Sequence, residues 1–164
     1  MVKETISKAL NKQLNEELYS SYLYLQMAAY FEGVLLSGFA KWMRVQSGEE
    51  YGHAMKLYDY ILNVDSKVVL QKIEAPGEKW KSALEVFEDT YKHEKTITRS
   101  IDEIVGIALS EKDYATFNFL QWFIGEQVEE ESTALRILDK IKLIGDNKTG
   151  LFFLDRELGQ RAGK

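Results

Sequence analysis

The sequence of 164 residues contains no cysteine, so it has neither a disulfide framework nor a thiolate metal site. It also has no stretch near the roughly 20 consecutive apolar residues that a membrane-spanning helix needs. The opening residues, MVKETISKALNKQL, are polar and periodic and lack the apolar core of a signal peptide. We therefore expect a cytoplasmic protein with no membrane partner.

The chain also lacks an excess of basic residues, and its net charge is -5 at pH 7. This balance gives no electrostatic reason to expect nucleic acid as a partner, whereas it favours the attraction of cations. There is only one proline, and hydrophobic residues make up 45% and charged residues 29% of a chain dominated by helix formers. These features predict a single all-α domain over residues 1–164.

Apolar residues recur every three or four positions over four long segments, which is the spacing of amphipathic helices. These segments span residues 5–33, 37–63, 83–111 and 113–144. Short turns join the segments in pairs, and Ser110 or Asp113 is available to cap the fourth helix. A long connection over 64–82 separates the pairs, and a short amphipathic segment follows at 151–161. The pattern predicts a four-helix bundle with one long crossover loop plus a short C-terminal fifth helix.

Each long helix has an apolar stripe along its core-facing side, and each stripe contains a glutamate near the middle of the helix. The four glutamates are Glu17, Glu50, Glu94 and Glu130. None of the four stripes contains a lysine or an arginine. Because mid-helix positions meet at one level of a bundle, we expect the glutamates to converge, with His53 and Gln127 beside them.

Four converging carboxylates need compensation, because burying an unpaired ionised carboxylate costs on the order of several kcal/mol and protonating it requires a large pKa shift. Two divalent cations would supply the missing positive charge. Glu50 and His53 lie one turn apart on one face of their helix, so both side chains can bind the same metal. Mostly oxygen ligands with a single nitrogen favour iron or manganese over a closed zinc site.

Less specific explanations exist for parts of this pattern. A single Glu-x-x-His in a helix is usually a surface coincidence, and a single glutamate in a stripe usually means that the stripe was drawn one residue off. Four such coincidences in the middle of four helices are far less expected. Gly48 and Gly52 lie beside the stripe, where each glycine destabilises the helix by about 1 kcal/mol. One hypothesis is that a neighbouring helix or subunit approaches closely there.

Six residues of the predicted centre lie in distinctive segments: Glu17 in NEELYSSYLYLQMA, Glu50 and His53 in EEYGHAMKLYDYI, Glu94 in KHEKTI, and Gln127 and Glu130 in FLQWFIGEQVEEE. In residue type and spacing, these segments resemble bacterial and archaeal non-haem ferritins, and the resemblance covers nearly the whole chain. Bacterioferritins differ, because they have a second Glu-x-x-His on the fourth helix, where this chain has Gln127 and Glu130, and a haem-binding methionine where Tyr51 stands. The resemblance therefore implies that the protein binds no haem.

The resemblance implies an iron store. Proteins of this family are ferroxidases that oxidise Fe(II) with O2 or H2O2 at a di-iron centre and deposit ferric mineral inside a hollow shell of twenty-four subunits. By this analogy, Glu17, Glu50 and His53 hold the first iron. Glu50 bridges the two ions, and Glu94 and Glu130 hold the second.

The same resemblance implies roles for residues around the pair. Gln127 would be a hydrogen-bond partner near the oxygen site. A third iron site, towards the cavity of the shell, would use Glu49, Glu126, Glu129 and Glu130. Tyr24 would lie beside the centre and either hydrogen-bond a ligand or donate an electron. Without the resemblance, the favoured interpretation of Glu126, Glu129 and Glu131 in EQVEEE is a solvated acidic face. Tyr24 is equally well explained as a core tyrosine with a satisfied hydroxyl.

Two other functions stay open. A di-iron oxidase or oxygenase acting on an organic substrate would share the ligands but would need a substrate pocket. A purely structural helical bundle would bind no metal at all. Shell formation separates a ferritin from the lone enzyme, and bound iron separates both of them from the structural bundle.

Overall fold

The structure is a computed structural model in which residues 2–163 are described. Its five helices are α1 (Glu4–Gly33), α2 (Ser37–Asn63), α3 (Ala83–Ser110), α4 (Tyr114–Ile144) and α5 (Lys148–Leu158). The predicted all-α fold with one long crossover is confirmed, and each of the four long helices matches its predicted span to within one residue. No helix within 2–163 is long and apolar enough to cross a membrane.

The fifth helix differs from its prediction, which placed it at 151–161. It begins at Lys148 because the side chain of Asn147 caps it, accepting a hydrogen bond from the Gly150 amide at 3.0 Å. The apolar pattern alone starts only at Leu151, so the prediction missed the first turn. For α4, Asp113 is the cap, since its Oδ1 accepts from the Thr116 amide at 3.0 Å.

The crossover between α2 and α3 lies along α1. Ser66 contacts Ser7 through their hydroxyls at 2.6 Å. The Asn11 side chain binds the next stretch of the crossover twice, donating to the Lys67 carbonyl at 3.0 Å and accepting from the Val69 amide at 2.6 Å. The crossover then reaches the other end of α1, where the Trp80 ring lies 5.8 Å from the Tyr30 ring. As a result α3 runs antiparallel to α1, and the middles of all four helices fall at one level.

Two clusters of buried apolar side chains fill the ends of the bundle. One is built around Phe31, Phe39 and Phe87, whose rings stack or meet edge to face. The other includes Leu10 and Ile101. Each such side chain stabilises the fold by roughly 1.5–3 kcal/mol when fully buried. The layer between the clusters is polar, so the apolar ends of the bundle must offset the cost of burying it.

The predicted stripe of α3 was partly wrong. Spacing of three and four residues from Glu94 predicts that Tyr91 and Thr98 face the core of the bundle. The structure instead buries Thr90 and Ile97 and leaves Tyr91 and Thr98 half-buried. A strict three-and-four spacing drifts relative to a straight helix of 3.6 residues per turn, so the buried face moves around the helix along its length. Glu94 lies on both versions of the stripe and is buried.

The C-terminal helix packs across the start of α2. Asp155 caps α2 although it lies far from α2 in sequence. Its Oδ1 accepts a hydrogen bond from the Phe39 amide at 2.9 Å. A Cβ on Gly38 would lie 1.7 Å from the Asp155 carbonyl oxygen, so only glycine permits this approach. The Lys41 ammonium group donates a hydrogen bond to the Gly159 carbonyl at 2.9 Å. These contacts fix the direction in which the C-terminal tail leaves α5.

Candidate metal centre

The polar layer in the middle of the bundle contains the four predicted glutamates, one from each long helix. Their exposed fractions are 0% for Glu17, 2% for Glu50, 2% for Glu94 and 5% for Glu130. The structure thus brings together side chains that lie up to 113 positions apart in sequence, as the mid-helix positions predicted.

Potential ligand atoms in this layer form overlapping groups of three. One group is Glu17, Glu50 and His53, and another is Glu50, Glu94 and Glu130. Within each group the oxygen or nitrogen atoms lie within 4.8 Å of one another, which is close enough to surround one ion. Because Glu50 belongs to both groups, the geometry provides two adjacent positions that share one carboxylate.

His53 points its Nδ1 atom into the first group. This atom lies 3.0 Å from Glu50 Oε2 and 3.9 Å from Glu17 Oε2. The other ring nitrogen, Nε2, lies 3.8 Å from Glu126 Oε1 on α4. A carboxylate beside the far nitrogen is the usual way of orienting a metal-binding histidine.

Two glutamines hold the carboxylates in place, and the sequence analysis missed both roles. Gln13 donates to Glu17 Oε1 at 2.8 Å. Gln46 donates both to Glu50 Oε1 at 2.8 Å and to Glu130 Oε2 at 2.7 Å, so it connects α2 to α4. Each glutamine precedes a glutamate of the centre by four residues on the same helix face, and this spacing was a signal available in the sequence.

Both oxygens of Glu94 accept hydrogen bonds. The Tyr24 hydroxyl donates to Oε1, and Gln127 Nε2 donates to Oε2 at 3.1 Å. Gln127 also contacts Thr98 Oγ1 at 3.2 Å. Both predicted neighbours therefore contact a glutamate of the pair. His93, which precedes Glu94 in sequence, contacts the Ser20 hydroxyl through Nε2 at 2.7 Å.

Burial makes the layer unfavourable for negative charge. It raises the pKa of Glu17 to about 8, with the neighbouring Glu50 carboxylate adding to the effect. Burial also raises the pKa of Glu94 to about 8, helped by the charge of Glu130. The pKa of Glu50 is raised by burial and then by the charges of Glu94 and Glu130. Divalent cations would restore the ionised forms, because a nearby positive charge favours them.

One atom shows directly that the residues suit a cation. Glu17 Oε2 is buried and accepts no hydrogen bond from any part of residues 2–163, although the other oxygen of the same carboxylate binds Gln13. A buried carboxylate oxygen without a donor is costly. It faces His53 Nδ1 and Glu50, so it lies where a metal ion would be coordinated.

Comparison with known proteins gives the family. The model of a family described as "Ferritin-like domain" matches residues 7–144, most of the chain. The chain belongs to the ferritin family. A "Bacterial non-heme ferritin" of Bacteroides fragilis is 47% identical over 161 residues, covering 98% of this chain and 100% of the relative. A "Probable bacterial non-heme ferritin-like protein" of Haemophilus influenzae is 46% identical over 164 residues, covering 100% of this chain and 99% of the relative.

Solved ferritin structures agree with the sequence relatives. An engineered closed form of the Archaeoglobus fulgidus ferritin superposes with a TM-score of 0.99 at 48% identity, with both chains fully covered. An open-pore ferritin of the same archaeon has a TM-score of 0.97 at 50% identity, with 98% of each chain covered. The predicted membership of the non-haem ferritins and the predicted ferritin-like fold are therefore confirmed.

The ferritin resemblance also predicted a third iron site, and the structure brings its residues only partly together. Glu126 is buried and forms a possible ligand group with His53 and Glu130. Glu129 is exposed, and within residues 2–163 neither Glu129 nor Glu49 joins a group of three possible ligands. The third site therefore stays a prediction, as do the roles of the individual ligands of the pair.

Glu49 instead pairs with an arginine that the sequence analysis did not single out. Arg161 Nη2 lies 2.5 Å from Glu49 Oε2. Arg161 follows α5 and is 112 residues away from its partner in sequence. No local pattern indicates such a pair, because only the packing of α5 on α2 brings the two side chains together in this ferritin.

Proposed function

We propose that this ferritin stores iron: it oxidises Fe(II) to Fe(III) with O2 or H2O2 at a di-iron centre and deposits ferric mineral inside a homo-oligomeric shell of 24 subunits. The observation that carries the proposal is the pair of overlapping ligand groups that share Glu50. Membership of the ferritin family supports it. An organic substrate is not needed to explain any feature of the centre.

The proposed division of ligands follows the two groups. Glu17, Glu50 and His53 would hold one iron, and Glu50, Glu94 and Glu130 the other. Paired iron ions supply two electrons to the oxidant in one event, which avoids a free one-electron product. The apolar clusters on either side of the polar layer would keep bulk water away from the two ions.

The remaining residues position these ligands. The Gln46 amide fixes one oxygen each of Glu50 and Glu130, leaving their other oxygens to face the ions. Tyr24 holds a proton next to Glu94, and burial together with the Glu94 charge raises the pKa of its phenol. We propose that Tyr24 keeps Glu94 oriented through this hydrogen bond.

Exposed apolar side chains support assembly. Leu35 is 89% and Leu143 88% exposed, and Phe153 after the start of α5 is 64% exposed. Single exposed apolar side chains are common on monomers, whereas neighbouring ones, such as Phe152 and Phe153 with ring centroids 6.2 Å apart, form the kind of patch that marks protein contacts. We propose that these residues lie at contacts between subunits of the shell.

The substitution Glu50→Gln tests the di-iron proposal, because it preserves the shape of the shared ligand while removing its charge. We expect the initial rate of Fe(II) oxidation in air to fall at least about tenfold, since both ions lose a ligand. Glu103→Gln is the matched control, because Glu103 is exposed on α3. A purely structural bundle would oxidise Fe(II) no faster than the E50Q variant does.

A further inference from the structure

The C-terminal tail that follows α5 passes along the edge of the metal centre. Arg161 Nη2 contacts Glu49 Oε2 at 2.5 Å. Its guanidinium also lies over the Trp42 ring, with Cζ 4.2 Å from the ring centroid. Nη1 donates to the Trp42 carbonyl at 3.4 Å. The arginine is thus held by a carboxylate, an aromatic face and a backbone oxygen together.

This contact differs from an ordinary surface ion pair. The side chains of Arg161 and Glu49 are only 18% and 8% exposed. Exposed pairs contribute little because water screens them, whereas a shielded guanidinium stacked on an aromatic ring is held more firmly. The position of Arg161 is also set by the fold, since the Asp155 and Lys41 contacts fix the path of the tail along α2.

Glu49 lies next to the shared ligand Glu50 and lines the same groove as His53 and Glu126. Gly48 and Gly52 line this groove as well, and a Cβ added to either would meet nothing within 4 Å. The hypothesis that a neighbouring helix approaches these glycines is therefore wrong for this chain, while close approach of another subunit stays a prediction. Within the chain, the two glycines leave the surface beside Glu49 open.

We propose that Arg161 is an internal competitor for cations at Glu49. Glu49 Oε2 accepts the guanidinium, so a metal ion that uses this oxygen must first displace Arg161. The competition makes a cation position at Glu49 weaker than the buried pair, because the apparent affinity falls with the fraction of molecules in which the carboxylate is available. Arg161 is then a positioning residue that regulates the movement of iron between the pair and the groove.

The inference rests on the proposed function, since it assumes that iron moves past Glu49. It explains why Glu49 joins no group of three possible ligands within residues 2–163, although Glu50 beside it joins two. It also gives the C-terminal tail a role that packing alone does not require. Arginine suits this role better than lysine, because the edge of its planar guanidinium group binds the carboxylate while the face of the same group stacks on Trp42.

Calorimetric titration of metal-free protein with Zn²⁺, in the absence of iron and oxidant, tests the inference. We compare the wild type with Arg161→Gln and Arg161→Lys. Lys140→Gln is the control, because Lys140 also binds α5 to α4, through Glu157 at 2.5 Å, but lies outside the groove. We expect two tight ions per chain in every variant, and a weaker third ion that binds about tenfold more tightly in R161Q.

The other variants and outcomes separate the possible failures. In R161K the third ion should bind with intermediate affinity, and this variant decides the question if R161Q does not fold. In K140Q the third ion should bind as in the wild type. Unchanged or weaker binding of the third ion in both Arg161 variants would overturn the inference. Failure of the wild type to bind two ions would instead contradict the proposed function, whatever Arg161 does.

Discussion

At the scale of single residues, the centre depends on side chains that do not bind metal themselves. Gln46 is the clearest case, because one amide nitrogen holds carboxylates from two helices. Its position four residues before Glu50 repeats the relation of Gln13 to Glu17. The amides orient the ligands and reduce the repulsion between them, so they are as much part of the centre as the glutamates.

The Gln46→Leu substitution tests this role. It keeps a side chain of similar size but removes the donor, so Glu50 and Glu130 lose their common hydrogen bond. We expect the affinity for the two tight Zn²⁺ ions to fall about 10- to 100-fold, as is typical when a partner of a metal ligand is removed. Gln121→Leu is the matched control on exposed α4 surface. Equal affinities in the two variants would contradict a positioning role for Gln46.

The raised pKa values predict how the metal-free protein responds to pH. The pKa of Glu17 is about 8 in the folded chain and near 4.5 in the unfolded chain, because burial disfavours the charged form. Between these values only the folded chain holds the proton. The free energy of unfolding should therefore fall as pH rises from 4.5 to 8, by roughly 1 kcal/mol per pH unit for Glu17.

Urea unfolding of chelator-treated protein at pH 5 and pH 8 measures this loss. Glu17→Gln should reduce it, because glutamine carries no proton to lose. Added Zn²⁺ should also reduce it, by restoring stability at pH 8, where the ionised carboxylates bind the metal. Unfolding free energies that rise between pH 5 and pH 8 without metal would contradict the burial of unpaired carboxylates.

At the scale of helices, the packing of α5 affects the metal centre, because it orients the tail whose Arg161 contacts Glu49. Its contact with α2 depends on Gly38, where an added Cβ would overlap the Asp155 carbonyl oxygen. We expect Gly38→Ala to lower the free energy of unfolding by about 1–3 kcal/mol, the usual cost of overpacking. It should also expose α5 to limited proteolysis.

Gly106→Ala is the matched control for this prediction. Gly106 lies within α3, and a Cβ there would meet nothing within 4 Å. This substitution should therefore stabilise the helix slightly, since alanine is the better helix former. If thermal melting and proteolysis respond equally to both substitutions, α5 does not depend on the close approach at Gly38.

The helices and the glutamates were predictable from the sequence, whereas the tail was not. Periodic apolar residues decide a helix locally, so the four long spans were predicted closely. The glutamates stood out because each interrupts an apolar stripe. Gln13 and Gln46 were predictable in principle, through their spacing from Glu17 and Glu50. Arg161 was not, because its contact with Glu49 exists only after α5 has packed on α2.

At the scale of the whole molecule, the bundle has two apolar ends and one polar layer. The ends hold the helices in register, and the register brings ligands from four helices to one level. This arrangement explains why a chain of this length can bury several carboxylates and still fold. The predicted iron-storage function is supported at the level of the ferritin family, while the proposed shell and its mineral would require many chains together.

Iron per chain is the most direct test of the central claim. Fe(II) is added in air, in increments, to the purified metal-free protein, and the iron that stays soluble with the protein is counted after each increment. The account predicts that soluble, protein-bound iron continues to rise far beyond what the carboxylates of the centre can bind. If loading stops near two iron ions per chain, the centre binds metal but the protein does not store it.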